Sequence, residues 1–317
     1  MLRNEAYADS NLLEEAFLPQ TVESAPEKRS FSLKSFAEYF MQGVFLLCAC
    51  ISIICVVVIC VYMFAKGCPA IAQIGVLDFL SGTDWFPTNS VPSFGIFPMI
   101  VGSIYVTAGA VLLGVPIGLL TAVFLARFCP ERLYKLVLPA VNLLAGIPSI
   151  VYGFFGMVVV VPFVRSVFGG TGNSIITASI ILGMMILPTV VGMSESALKA
   201  VPEEYYEGAL ALGATHERSV MRVLVPAAKS GICAAIVLAI GRAVGETMAV
   251  VMIAGNQARL PDELTDGVRT LTANIILEMG YASGLHYDAL LGTGVVLFVF
   301  ILILNLLLSV ITSKRKG

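Results

Sequence analysis

The chain has 317 residues, of which 58% are hydrophobic and only 13% charged, with a formal net charge of −2. Soluble domains carry about 25% charged residues, so this composition and a mean hydropathy of +0.92 place the chain in a membrane. No basic face and no nucleic-acid motif is present, which excludes nucleic acid as a partner.

Residues 1–40 are polar and of mixed charge, and read as a cytoplasmic N-terminal tail. Within them Leu12, Leu13, Ala16 and Phe17 form one face of a short helical pattern that stops at Pro19. A first span fills 41–66, because no charge lies between Glu38 and Lys66. Cys48, Cys50, Cys55 and Cys60 fall in this apolar run, where cysteine acts as a small hydrophobe, and their spacing fits no metal site. Residues 67–97 read as an outer loop with Trp85 as an interfacial aromatic.

Further spans are expected at about 99–126, 138–164, 174–193, 230–254 and 289–312, within one unit covering 98–312. The second carries Gly102, Gly109, Gly114 and Gly118, residues small enough to let helices approach closely. The third is interrupted by Gly146-Ile147-Pro148-Ser149, where proline kinks a helix. A polar loop at 194–229 separates the fourth and fifth spans, and another at 255–288 precedes the sixth. A basic tail closes the chain at 313–317.

Lys and Arg set the orientation. With the N-terminus inside, fourteen of the nineteen basic residues lie in inside segments and four outside, with Arg242 in the membrane. The fold class expected is therefore all-α, with six transmembrane helices and both termini cytoplasmic. That arrangement puts loop 194–229 in the cytoplasm.

This loop is longer than a connection needs. Pro202 suits the first turn of a helix, Glu203, Glu204 and Glu207 complement its N-terminal dipole, and Gly213 can end it. Read alone, it is equally an ordinary surface helix lying along the membrane. Its spacing resembles the EAA loop of type I ABC importer permeases: Glu207-Gly208-Ala209, three residues, Gly213, nine residues, then Val223-Leu224-Val225-Pro226. Gly208 stands where the family has alanine. The resemblance implies a coupling helix that docks in a cleft of a separate ATPase subunit. The chain has no phosphate-binding G-x-x-x-x-G-K-[ST] loop of its own, so ATP and magnesium would sit on that partner, with no cofactor here.

Arg242 and Glu246 lie four apart on the fifth span, a spacing that puts them on one helix face within pairing reach. An arginine near the bilayer centre costs about 2.5–3.5 kcal/mol, so it faces the bundle interior or a polar path. Two readings stand: a cation that meets an anionic substrate, or a static ion pair between helices. The run from Ala239 to Val250 resembles permease subunits of the phosphate-specific ABC transporter, as do Gly146–Gly153 and Phe94–Pro98, and the order of elements is most similar to its PstC-type subunit. The resemblance covers most of 90–260. It implies a multi-pass subunit of the bacterial inner membrane that moves phosphate by alternating access and is not itself an enzyme. It implies Arg242 and Glu246 in phosphate passage, and as partners membrane lipid, a second permease subunit, two ATPase subunits and an extracytoplasmic phosphate-binding protein.

Rival readings are a permease for sulfate or molybdate, an ATP-independent secondary transporter or channel, and an intramembrane enzyme, for which no nucleophile–base pair is found. His216 and His286 read as surface residues, and Asp262, Glu263 and Asp266 as a solvated acidic loop.

Overall fold

Apolar runs longer than a bilayer's thickness become helices, because only a helix closes its own backbone hydrogen bonds there. The computed structural model describes residues 33–313, with side chains from 38 to 306. The tail pattern at Leu12–Phe17 and the basic end at 314–317 lie outside the described residues. The chain divides into two compact units, Met1–Val58 and Ile59–Gly317.

In the first unit the described residues are all helical and almost wholly exposed. They belong to α1, Leu33–Ile74, which starts before and ends after the expected span. Pro69 lies inside it without ending it.

The second unit holds the remaining elements. Gly75, at φ +103, ends α1 and is followed by the short helix α2, Val76–Ser81. A two-stranded hairpin pairs β1 (Trp85–Phe86) with β2 (Ser93–Phe94), Trp85 opposite Phe94. Helix α3, Phe97–Val123, opens on Pro98 and runs on through a π-helical turn at Phe124–Phe128. Helix α4, Glu131–Gly146, is separated from α5, Ser149–Phe155, by Ile147 in an extended conformation. The residue before a proline resists the helical region, which explains the stop. A π-helical turn at Gly156–Val160 joins α5 to α6, Val161–Phe168.

The central helix is α7, Ile175–Lys199, capped by the Ser174 hydroxyl accepting from the Thr177 amide. Helix α8, Glu203–Ala211, is followed by α9 (His216–Ser219), a π-helical turn (Val220–Leu224) and α10 (Val225–Ala227). Helix α11, Lys229–Gly245, precedes α12, Met248–Ile253. Helix α13, Leu271–Glu278, precedes α14, Leu285–Ser313. Among the described residues, five helical stretches are long and apolar enough to cross a membrane, and a sixth span requires joining His216–Ala227 to Lys229–Gly245 across a 68° bend.

Three expectations change. The third apolar span runs from Ser149 to Phe168, after the Ile147-Pro148 break and not through it. Segment 255–288 is not a loop throughout, because α13 turns into the core with Leu271, Thr272, Ala273 and Asn274 buried. Trp85 is not interfacial but 4% exposed, packed with Phe79, Phe94, Ile96 and Met99.

The glycines of α3 make the main contact of the bundle. A Cβ on Gly114 would lie 2.7 Å from the Gly183 carbonyl of α7, and one on Gly118 would lie 2.8 Å from Val190. Gly109 faces Ser179 more tightly still, and Gly102 abuts the Arg269 carbonyl. Helices this close gain dispersion contacts along their whole length. Gly114→Val is expected to force α3 from α7 at a cost of about 1–3 kcal/mol. Thermal unfolding in detergent would show it, whereas Gly43→Val, with open space around it, should leave the transition unmoved.

Candidate functional site

The fifth apolar run breaks where its two charged residues lie. Helix α11 ends at Gly245, and Glu246 is extended at φ −68, ψ 132. The expected i, i+4 pairing of Arg242 and Glu246 therefore does not form, because it needs a continuous helix. The Glu246 carboxylate instead accepts from the Ala249 amide at 3.2 Å, capping the first turn of α12. Its main-chain carbonyl accepts from the Thr272 hydroxyl of α13 at 3.0 Å. The break is thus closed on both sides by hydrogen bonds within the chain.

Arg242 makes no ion pair among the described residues. Its electrostatic neighbour is the Tyr152 phenol of α5, which donates to the Leu144 carbonyl at 2.9 Å. Two breaks thereby come together: Ile147-Pro148, just before α5, and Glu246-Thr247, between α11 and α12. Helices α5 and α12 touch closely, since a Cβ on Gly153 would lie 3.0 Å from the Ala249 Cα. Arg242 is exposed on the same stripe of α11 as Ser230, Ala234 and Leu238. Beside this stripe a groove of about 660 Å³ runs between α7 and α11, with Gly192, Ser196, Ala197 and Gly231 in its walls.

At the other end of α11 the expected coupling residues form the helix read from sequence. Pro202 precedes α8, Glu203 and Glu204 lie in its first turn, and Gly213 at φ +81 ends it. The Gly213 amide bonds the Leu210 carbonyl and the Ala214 amide bonds that of Ala209, the usual closure for a left-handed glycine. Glu207 and Gly208 are exposed, Ala209 is half-buried, and a Cβ on Gly208 would meet nothing. Tyr205 and Leu212 project outward, the latter 90% exposed. Pro226 is exposed within α10, and Leu224 before it is fully buried.

His216 is half-buried and hydrogen-bonded, not a free surface residue. His286 is 8% exposed and donates to Glu278 at 2.8 Å. Glu278, at the end of α13, is a hub that sequence reasoning missed. It accepts from the Trp85 indole at 2.8 Å and from Arg269 at 2.7 Å as well. Arg269 also donates to the Asn274 side chain and the Asn256 carbonyl. In the acidic loop, the amides of Glu263 and Asp262 hold the Asp266 carboxyl below its usual range, so Asp266 is spent on closing its own turn.

Comparison with known proteins decides the family. Residues 114–314 match the model described as "Binding-protein-dependent transport system inner membrane component". The chain belongs to this family. It is 39% identical over 274 residues to the probable ABC transporter permease protein YqgH of Bacillus subtilis, covering 85% of this chain and 89% of that one. It is 34% identical over 262 residues to the phosphate transport system permease protein PstC of Mesorhizobium japonicum, covering 76% and 79%. Its fold resembles a chain of a bacterial alginate ABC transporter at TM-score 0.61 and 15% identity, covering 90% of this chain and 98% of that one. A chain of the MetNI methionine ABC transporter matches at TM-score 0.56 and 22% identity, covering 69% and 95%. This member of the family is an inner-membrane transport subunit and not an enzyme, with the type I importer permease fold.

Glu278 and Arg242 respond differently to truncation. Glu278→Ala leaves the part-buried Arg269 and the buried Trp85 and His286 without their acceptor and is expected to cost about 3–5 kcal/mol. Arg242→Ala removes no partner and should stay within about 0.5 kcal/mol of wild type. Thermal unfolding of the isolated chain compares them.

Proposed function

We propose that this permease subunit moves inorganic phosphate inward through an ATP-driven importer. The observation that carries the reading is Arg242, a guanidinium within the apolar fifth segment, exposed and without a carboxylate partner among the described residues. A cation left open in a membrane costs several kcal/mol unless it faces water, protein or an anion. Its planar fork donates in pairs to tetrahedral oxyanions, which suits phosphate. Relatives of the chain are named phosphate transport permeases in Mesorhizobium japonicum and Pasteurella multocida, among others.

Glu246 supports the same reading. Its carboxylate sits one break away and holds the α12 amide that an incoming anion would otherwise contact. In this scheme the pair acts across the break between α11 and α12, and Glu246 keeps the break in shape while Arg242 meets the substrate. The uncovered stripe of α11 and its groove beside α7 face a second permease subunit, which completes the path.

Loop 194–229 lies in the cytoplasm with both termini, the tail 1–40 included. Glu207, Gly208, Ala209, Gly213 and Pro226 belong to the coupling segment that docks on an ATPase subunit, two of which bind ATP and magnesium. Segments 67–97 and 255–288 face the other side, where an extracytoplasmic phosphate-binding protein delivers its cargo. ATP-driven closure of the motor moves α8, and the spans reorient around Arg242.

The test is ATP-dependent uptake of labelled phosphate in cells lacking this chain, complemented with wild type or with Arg242→Ala, and with labelled sulfate alongside. Arg242→Ala should reach the membrane normally and lose uptake by about ten-fold or more, the loss expected from a charge-assisted hydrogen bond of about 1.5–3 kcal/mol. Wild-type uptake of sulfate in place of phosphate would reassign the substrate. Uptake by Arg242→Ala at the wild-type rate would make the arginine structural.

A further inference from the structure

Helix α8 has no buried residue, so apolar packing alone does not fix it to the bundle. The Tyr206 ring packs against the cluster of Val123, Val220 and Leu224, and the rest of the helix's attachment is polar and converges on the end of α3. The Tyr206 hydroxyl of α8 lies 2.8 Å from His216 Nδ1, and His216 Nε2 lies 3.1 Å from the Arg127 carbonyl. A carbonyl only accepts, so Nε2 carries the proton and Nδ1 accepts from the tyrosine. The imidazole thus joins two helices by hydrogen bonds in series.

The second partner is no arbitrary carbonyl. Arg127 lies in the π-helical turn that ends α3, where the chain becomes extended at Cys129 before Pro130. Carbonyls in a last turn have no partner of their own along the helix. His216 supplies one, so a pull on the imidazole acts on the end of α3. The same arginine grips α8 a second time, its Nη1 bonding both Glu203 carboxylate oxygens at 2.9 and 3.1 Å. Two attachments stop α8 from swivelling about either one. Phe128 packs edge-on against the imidazole with ring centres 4.6 Å apart, which fixes the ring's plane.

The covalent route from α8 to the spans is softer. It passes the left-handed Gly213, a π-helical turn and a 68° bend before reaching α11. The route through His216 is short, and α3 is interlocked with α7 along its glycine face.

We propose that Tyr206, His216 and Arg127 form a relay that carries movement of α8 into α3, with His216 as its positioning residue. This rests on α8 being the helix moved by the ATPase. A relay made of hydrogen bonds, and not of bulk, fails when a bond is lost even though the helix still docks. It survives in a side chain that donates and accepts at the same separation, as glutamine does with its amide nitrogen and oxygen.

The experiment uses the whole complex, this chain with its partner permease and ATPase subunits, reconstituted in vesicles with the binding protein. Phosphate taken up and ATP hydrolysed are measured together, with sulfate in a parallel arm. His216→Ala and Tyr206→Phe should retain the ATPase subunits and their hydrolysis, while anion moved per ATP falls by about five-fold, as expected for one lost net hydrogen bond. His216→Gln should restore the ratio. The relay is overturned if the ratio in His216→Ala equals wild type, if His216→Gln is no better than alanine, or if the ATPase subunits dissociate in step with lost transport. A wild-type complex that moves sulfate alone refutes the phosphate reading and still reports on the relay through the sulfate ratio. One that hydrolyses ATP and moves neither anion overturns both.

Discussion

Inside a membrane no water is available to satisfy a polar group, and every departure from a continuous helix has to be closed by the protein itself. The same accounting of backbone groups holds at each irregular point of the structure, within the spans and at their ends. Where α11 stops, the Glu246 carboxylate takes the amide of Ala249 and the Thr272 hydroxyl takes the carbonyl of Glu246. Where α3 stops, His216 takes the carbonyl of Arg127. Where α13 turns back into the core, Thr270 caps it by accepting from the Ala273 amide, and the Ser103 hydroxyl receives the Leu271 amide. Three of these closures, Thr272 on Glu246, His216 on Arg127 and Leu271 on Ser103, cross between elements distant in sequence. They tie α13 to the end of α11, α9 to the end of α3, and α13 to α3.

Between the breaks the bundle is held by close backbone approach and not by large side chains. Helix α7 is mostly buried, and α3 meets it through residues without a Cβ. Apolar side chains gain little from leaving lipid for one another, so contact has to come from fit along the helices. A tightly fitted pair also resists bending and behaves as one body. On the proposed reading, displacement at one end of α3 passes to α7 with it, as a transporter worked from one face requires. Helix α8 lies outside this fitted region, lightly packed and exposed, as suits an element that meets another protein.

Much of this was legible in sequence, for local reasons. Apolar runs marked the spans, the glycines of the second run marked its packing face, and Pro202, the early glutamates and Gly213 marked both ends of α8. What escaped was long-range. The Arg242–Glu246 pair was inferred from a spacing that holds only in an unbroken helix, and nothing in Gly245-Glu246-Thr247 announces the break. Segment 255–288 looked like a solvent loop because it is polar, yet Thr270, Thr272 and Asn274 face other backbone segments and side chains, not water. Trp85 and Glu278 are 193 positions apart, and no window of sequence joins them. The histidines read as surface residues for the same reason, since their partners lie on other elements.

The chain contains its own control for what an arginine does when its task is structural. Arg269 is 18% exposed and is answered on every side: Glu278 takes its charge, Asn274 and the Asn256 carbonyl take its other donors. Folding has neutralised it, and an anion approaching it would have to displace a carboxylate already in place. Arg242 is the opposite case. The nearest acidic side chain in sequence, Glu246, is turned away by the helix break and engaged with a backbone amide. The same chain that built a three-donor site around one carboxylate thus left this guanidinium without one. Among the described residues Arg242 therefore keeps an exposed charge without a carboxylate, whereas the charge of Arg269 is already answered. On the proposed reading, an anion that binds and leaves suits Arg242 better than a permanent carboxylate, which would compete with every substrate that passed.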